Sequence, residues 1–211
     1  MVARSGMIEG MAELFGLLPS SVDTLDRTLA KAGLRTRTAG GRAPENMLAI
    51  DIVNLAFALK NLWSIRDTPI KVGEITALPL VRVVAERSVR GPHDYPVWVP
   101  ANTISAADFE KGSVVTALRY PVKKLPLENT FGGSLANVVE HVFDLEDVDQ
   151  IRAEVHQEPL RAHIWFRIAG GSERFDVAFG PEDMVADFDQ SYSMFGFPEP
   201  VLKRLAQVLR S

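Results

Sequence analysis

Residues 160–179 constrain this chain most. Leu160, Ala162, Ile164, Phe166 and Ile168 alternate with Arg161, His163, Trp165 and Arg167, and after Gly170-Gly171-Ser172 the alternation resumes with Phe175, Val177 and Phe179. A period of two places one set of side chains on each face of a strand, so the stretch predicts an antiparallel hairpin with one apolar face. That face must be covered, and covering it demands a second layer. The opposite face, Arg161 to Arg167, has the composition of a stacking surface for single-stranded nucleic acid. Its surroundings argue otherwise: from Glu140 to Asp189 there are thirteen acids and four arginines, a balance of −9. Coverage by a helix or a partner subunit is the expected fate of that face.

The covering helices are readable on both sides of the hairpin. Met7, Met11 and Leu14 line one side of a predicted helix from about residue 3 to 17. Pro44 is placed to open a further helix that runs to about Ile65, with Ile50, Val53, Asn54 and Phe57 as its stripe and Asp51, Lys60 and Asn61 toward water. Gly132-Gly133-Ser134 leads into a helix with Leu135, Val138, Val139 and Val142 inward. Val201, Leu202, Leu205, Val208 and Leu209 mark a last one over 198–209. Residues 66–79, with Pro69, Gly73 and Pro79, read as a hinge. Strands are expected at 80–85, 97–99 and 113–120. The predicted fold class is α+β: a three-helix domain over residues 1–66, a linker over 67–79, and a mixed α+β domain with an antiparallel hairpin over 80–211.

Within the first domain, Met11 to Leu34 reads as helix, turn and helix. Ala12 sits where two helices would cross, Gly16 at the corner, and Val22 and Leu25 where the second helix packs on the first. Ser20 is placed to N-cap that second helix, with Asp23 three residues on, and Gly33 to end it. At about 100° per residue, Val22, Leu25 and Leu29 share one face, and Ser20, Thr24, Arg27 and Lys31 the other. Between Arg27 and Arg42 there are five cations and no acid, three of them (Arg35, Arg37 and Arg42) around Gly40-Gly41. No β-rich run follows, so a β-hairpin wing is not expected.

This small-residue, glycine and hydrophobic spacing resembles the helix-turn-helix of DNA-binding transcription regulators; the match covers about a tenth of the chain. The Gly-Gly-Arg loop before a long apolar helix is also similar to small prophage-type and gene-transfer regulators. The resemblance implies double-stranded DNA as partner, with residues 20–32 in the major groove. Ser20, Ser21, Thr24, Arg27 and Lys31 would approach bases and phosphates; Arg35, Arg37 and Arg42 would meet the backbone or minor groove. It implies a homodimer, because one such module buries little surface. The carboxyl-terminal part would dimerise, sense a ligand or contact a protein partner. Two other readings fit the same residues: a phage-type DNA-packaging protein similar to terminase small subunits, and a protein-interaction module that no longer meets DNA.

Enzymatic chemistry is not expected. The chain has no cysteine, no GxSxG and no HExxH, and its glycine-rich helix start lacks the lysine of a P-loop. Asp144 to Asp149 lacks the glycine and terminal glutamate of a calcium loop. His93, His141, His156 and His163 show no metal-ligand spacing along a helix or hairpin, so neither metal nor cofactor is expected. Net charge is −4. With no long apolar run and with Glu9 and Glu13 near the start, the chain is expected to be soluble and cytoplasmic.

Overall fold

The computed structural model describes residues 2–36, 46–61, 63–90, 96–105, 127–145, 148–168, 173–181 and 194–211. These hold six helices and a six-stranded antiparallel sheet, so the fold is mixed α+β. The helices are α1 (Arg4–Phe15), α2 (Pro19–Lys31), α3 (Ala49–Lys60), α4 (Thr68–Thr76), α5 (Phe131–His141) and α6 (Glu199–Arg210). The strands are β3 (Leu80–Arg90), β4 (Pro96–Ser105), β5 (Val148–Gln157), β6 (Leu160–Ile168), β7 (Glu173–Phe179) and β8 (Met194–Pro198). A two-residue pair, β1 (Val2–Ala3) with β2 (Asn46–Met47), stands apart from the large sheet.

The sheet runs in the order β4-β3-β7-β6-β5-β8. The hairpin forms as the alternation requires: Ile164 lies between Val177 of β7 and Ala153 of β5, and Phe166 between Phe175 and Ile151. Those side chains are buried, and the Phe166 and Phe175 rings stack at 5.0 Å. Helices cover this face. The central one is α3, buried almost all round, as a helix apolar on every side must be. Its Phe57 is fully buried against Phe131 of α5 (5.8 Å between ring centres) and Phe197 of β8 (5.2 Å). Helix α6 places Leu202, Leu205, Ala206, Val208 and Leu209 inward.

Several expectations are corrected. Residues 66–79 are no open hinge: α4 lies there, with Pro69 in its first turn and Val72 and Ile75 buried. A single hydrophobic cluster joins Val2 to Leu209 through α3, so the two expected domains share one core. Helix α3 spans 49–60 rather than 44–65, and Pro44 lies outside the described residues. Strand β4 is longer than the three residues foreseen, and β5 was not foreseen. The strand expected at 113–120 lies outside the described residues.

Candidate nucleic-acid interface

Helices α1 and α2 are joined by the three residues Gly16, Leu17 and Leu18. Gly16 closes α1 at φ 65° and Gly33 closes α2 at φ 78°, both in the left-handed region that glycine enters without strain. At each end two backbone bonds satisfy the last carbonyls: Gly16 N–H to Glu13 and Leu17 N–H to Ala12 (3.3 and 3.0 Å), then Gly33 N–H to Ala30 and Leu34 N–H to Leu29 (3.3 and 3.0 Å). The start of α2 differs from the expectation. Pro19 takes the first helical position and Leu18 the cap, with no side-chain cap bond, so Ser20 lies inside the helix. The Thr24 hydroxyl donates to the Ser20 carbonyl at 2.9 Å, and Thr28 to that of Thr24 at 2.9 Å.

The back of α2 is locked. Val22 and Leu29 are buried, Leu25 is half-buried, and Ala12 of α1 is buried opposite. Between them sits Asp26, 1 % exposed. It accepts from Arg4 Nε at 2.7 Å and lies 3.2 Å from Arg35 Nε. Burial pushes the Asp26 carboxyl up, against the opposing hydrogen bond from Arg4. Arg4 also reaches Asp23 at 2.5 Å, and that hydrogen bond holds Asp23 below the usual carboxylate range.

The front is open. Ser20, Ser21, Thr24, Arg27 and Lys31 are all exposed. The Arg27 side chain is 69 % exposed and lies 2.9 Å from Asp23 one turn earlier. Arg35 does not belong to this row: its side chain is only 9 % exposed and turned toward Asp26, which removes it from the expected phosphate-facing set. Arg37 and Arg42 lie outside the described residues.

Two residues of α3 missed by the sequence reading organise the segment after α2. Asp51, expected toward water, is 2 % exposed. Its carboxylate accepts the Thr36 N–H at 2.6 Å and the Leu48 N–H at 2.8 Å, so one side chain holds the chain on both sides of residues 37–45. Asn54 donates to the Leu34 carbonyl at 2.7 Å, steadying the exit from α2. The signal was present: two polar residues inside the most apolar helix imply buried hydrogen bonding.

The outer face of the sheet is closed by contrast. Arg161 and His163 are buried, and the charged neighbours pair across strands, Arg167 with Asp149 at 2.8 Å and Arg174 with Glu86, and along β5, Arg152 with Glu154 at 3.1 Å. Arg152 also lies over the Trp165 ring at 4.8 Å. His156 and His163 lie as diagonal neighbours across β5 and β6 with ring centres 5.7 Å apart, a contact their spacing along the chain does not announce. His163 Nδ1 is 2.8 Å from Asp176. Burial, then the charges of Arg161 and His163, bring His156 down to about 4. No group of three or more metal-binding side chains occurs among the described residues. His141 lies near Asp144 at the surface, and His93 is outside the described residues.

What α2 offers is therefore a row of hydroxyl, guanidinium and ammonium groups on a helix anchored along its back. Such groups bind phosphate oxygens and base edges. No helix among the described residues is long and apolar enough to cross a membrane. The chain matches no family model, no curated protein and no solved structure.

Proposed function

We propose that the chain is a sequence-specific DNA-binding transcription regulator that lays α2 in the major groove. Ser20, Ser21, Thr24, Arg27 and Lys31 meet bases and phosphates, and Arg37 and Arg42 serve the backbone or an adjacent minor groove. The reading is carried by one observation: the polar and cationic row of α2 is exposed while its apolar and acidic back is fixed. A homodimer supplies the second half-site that a single module needs for affinity.

The test is DNA binding at a series of salt concentrations, on sites recovered by genome-wide crosslinking, with wild type and the Arg27→Ala/Lys31→Ala variant. Loss of two phosphate contacts lowers affinity and flattens the salt dependence by about two units of slope. Equal binding at every salt concentration overturns the reading. Solution mass gives a second check: a dimer agrees with regulation, whereas a ring of eight or more subunits points to DNA packaging.

A further inference from the structure

A cavity of about 360 Å³ opens between the start of α3, the helix α5 and the end of α6. Its size is that of small-molecule sites, which run from roughly 300 to 1,000 Å³. Leu48, Ala136 and Leu209 are apolar residues of its lining, together with Glu128, Asn137 and Glu140; the Asn137 amide donates to the Glu128 carboxylate at 3.4 Å. No ion pair to Glu128 or Glu140 is found among the described residues. Elsewhere Asp23, Asp26, Glu86, Asp149 and Glu154 each have an arginine within 4 Å. Arg210 approaches Glu140 only at its backbone carbonyl, at 3.4 Å, and divides itself between Asp144 and the face of Phe143.

Two helix starts border the cavity and would by themselves favour an anion. At each, one backbone N–H is already taken by a side chain. Asp51 takes the Leu48 N–H at α3, and the Thr130 hydroxyl takes the Gly133 N–H at α5. Two carboxylates beside apolar side chains leave an acidic site of small-molecule size.

We infer that this cavity binds a small organic cation, an ammonium or guanidinium group on a short apolar body, with the cation between Glu128 and Glu140 and the apolar part on Leu48, Ala136 and Leu209. The site has a route to α2. Leu48 lines the cavity, its N–H is held by Asp51, and the same carboxylate holds Thr36 just beyond α2. An occupant pressing on Leu48 thus bears on the root of the basic segment 37–42. This regulatory step rests on the DNA-binding reading; the binding site does not.

Titration calorimetry of the whole chain with hexylammonium, hexanol and hexanoate, at constant ionic strength, tests the site. Hexylammonium binds at least tenfold tighter than hexanol, and hexanoate weakest of the three. In the Glu128→Gln/Glu140→Gln variant the preference for the amine over the alcohol disappears; both positions are exposed, and an unchanged melting temperature verifies folding. The site is overturned if none of the three binds, if alcohol and amine bind alike to wild type, or if the variant keeps the preference. DNA titration with and without hexylammonium tests the coupling. A shift in wild-type affinity, absent in the variant, supports it. Amine binding with unmoved DNA affinity removes the regulatory step alone, and amine binding with no DNA binding at all removes the proposed function alone.

Discussion

Two cationic rows lie on this molecule, and they have opposite fates. On α2, Thr24, Arg27 and Lys31 face outward, and among the described residues the acid paired with this row is Asp23. On β6, Arg161, His163, Trp165 and Arg167 belong to a face where Asp149, Asp176, Glu86 and Glu154 answer the local cations across and along the strands. The rows look alike as strings of residues. What separates them is the neighbour: a helix face takes its partners from its own sequence one turn away, whereas a strand takes them from whichever strand lies beside it. The β6 row is tied into the fold by its neighbours, whereas the α2 row stays exposed and, on the proposed function, is what DNA would meet.

That contrast can be broken by measurement. The largest effect is expected behind α2. Asp26→Ala leaves Arg35 buried without its carboxylate and should cost about 3–5 kcal/mol in urea unfolding; a loss below 1 kcal/mol would mean that the open row does not depend on its back anchor. Next comes pH. His156 is held neutral, at about 4 against an ordinary 6.5, so the unfolded chain binds the extra proton first. The stability due to neutral His156 is complete above pH 6.5 and is lost as pH falls toward 4, by roughly 3 kcal/mol in all. His156→Gln should flatten the difference between unfolding midpoints at pH 7 and pH 5; an unchanged slope would place the sensitivity elsewhere. Smaller again is Asp176→Ala, which takes the acceptor from His163 and should cost about 1–2 kcal/mol by the same measurement. The smallest is Arg27→Ala/Lys31→Ala, expected within about 0.5 kcal/mol of wild type, because neither side chain supports the fold. A large loss there would make the α2 row structural and erase the contrast.

The parts legible in the sequence are those whose pattern is local. Ile164, Phe166, Phe175 and Val177 announce a hairpin because alternation is a property of each strand alone, and Leu135, Val138 and Val139 announce α5 in the same way. Helix α4 was hidden because Pro69 and Gly73 punctuate it; the proline is harmless in a first turn, where its missing N–H has no partner to lose. Strand β5 was hidden because its alternating Ile151, Ala153 and Val155 follow an acidic run that reads as surface. That Asp51 would be buried and hydrogen-bonded was signalled by its place in an apolar helix, but which groups Asp51 and Arg35 meet could not be read. Both depend on groups distant in sequence, Thr36 for one and Asp26 for the other, and periodicity carries no information about such encounters.

One buried carboxylate joining Thr36 to Leu48 has a corollary for insertions. The residues between them begin and end at fixed roots, reinforced by the short pairing of Val2 with Met47. Closing a longer loop on such roots costs only about 0.6 kcal/mol per doubling of its length. Added residues before Asn46 would therefore be tolerated at little entropic cost, whereas Met47, fully buried in the core, fixes the far end of the interval.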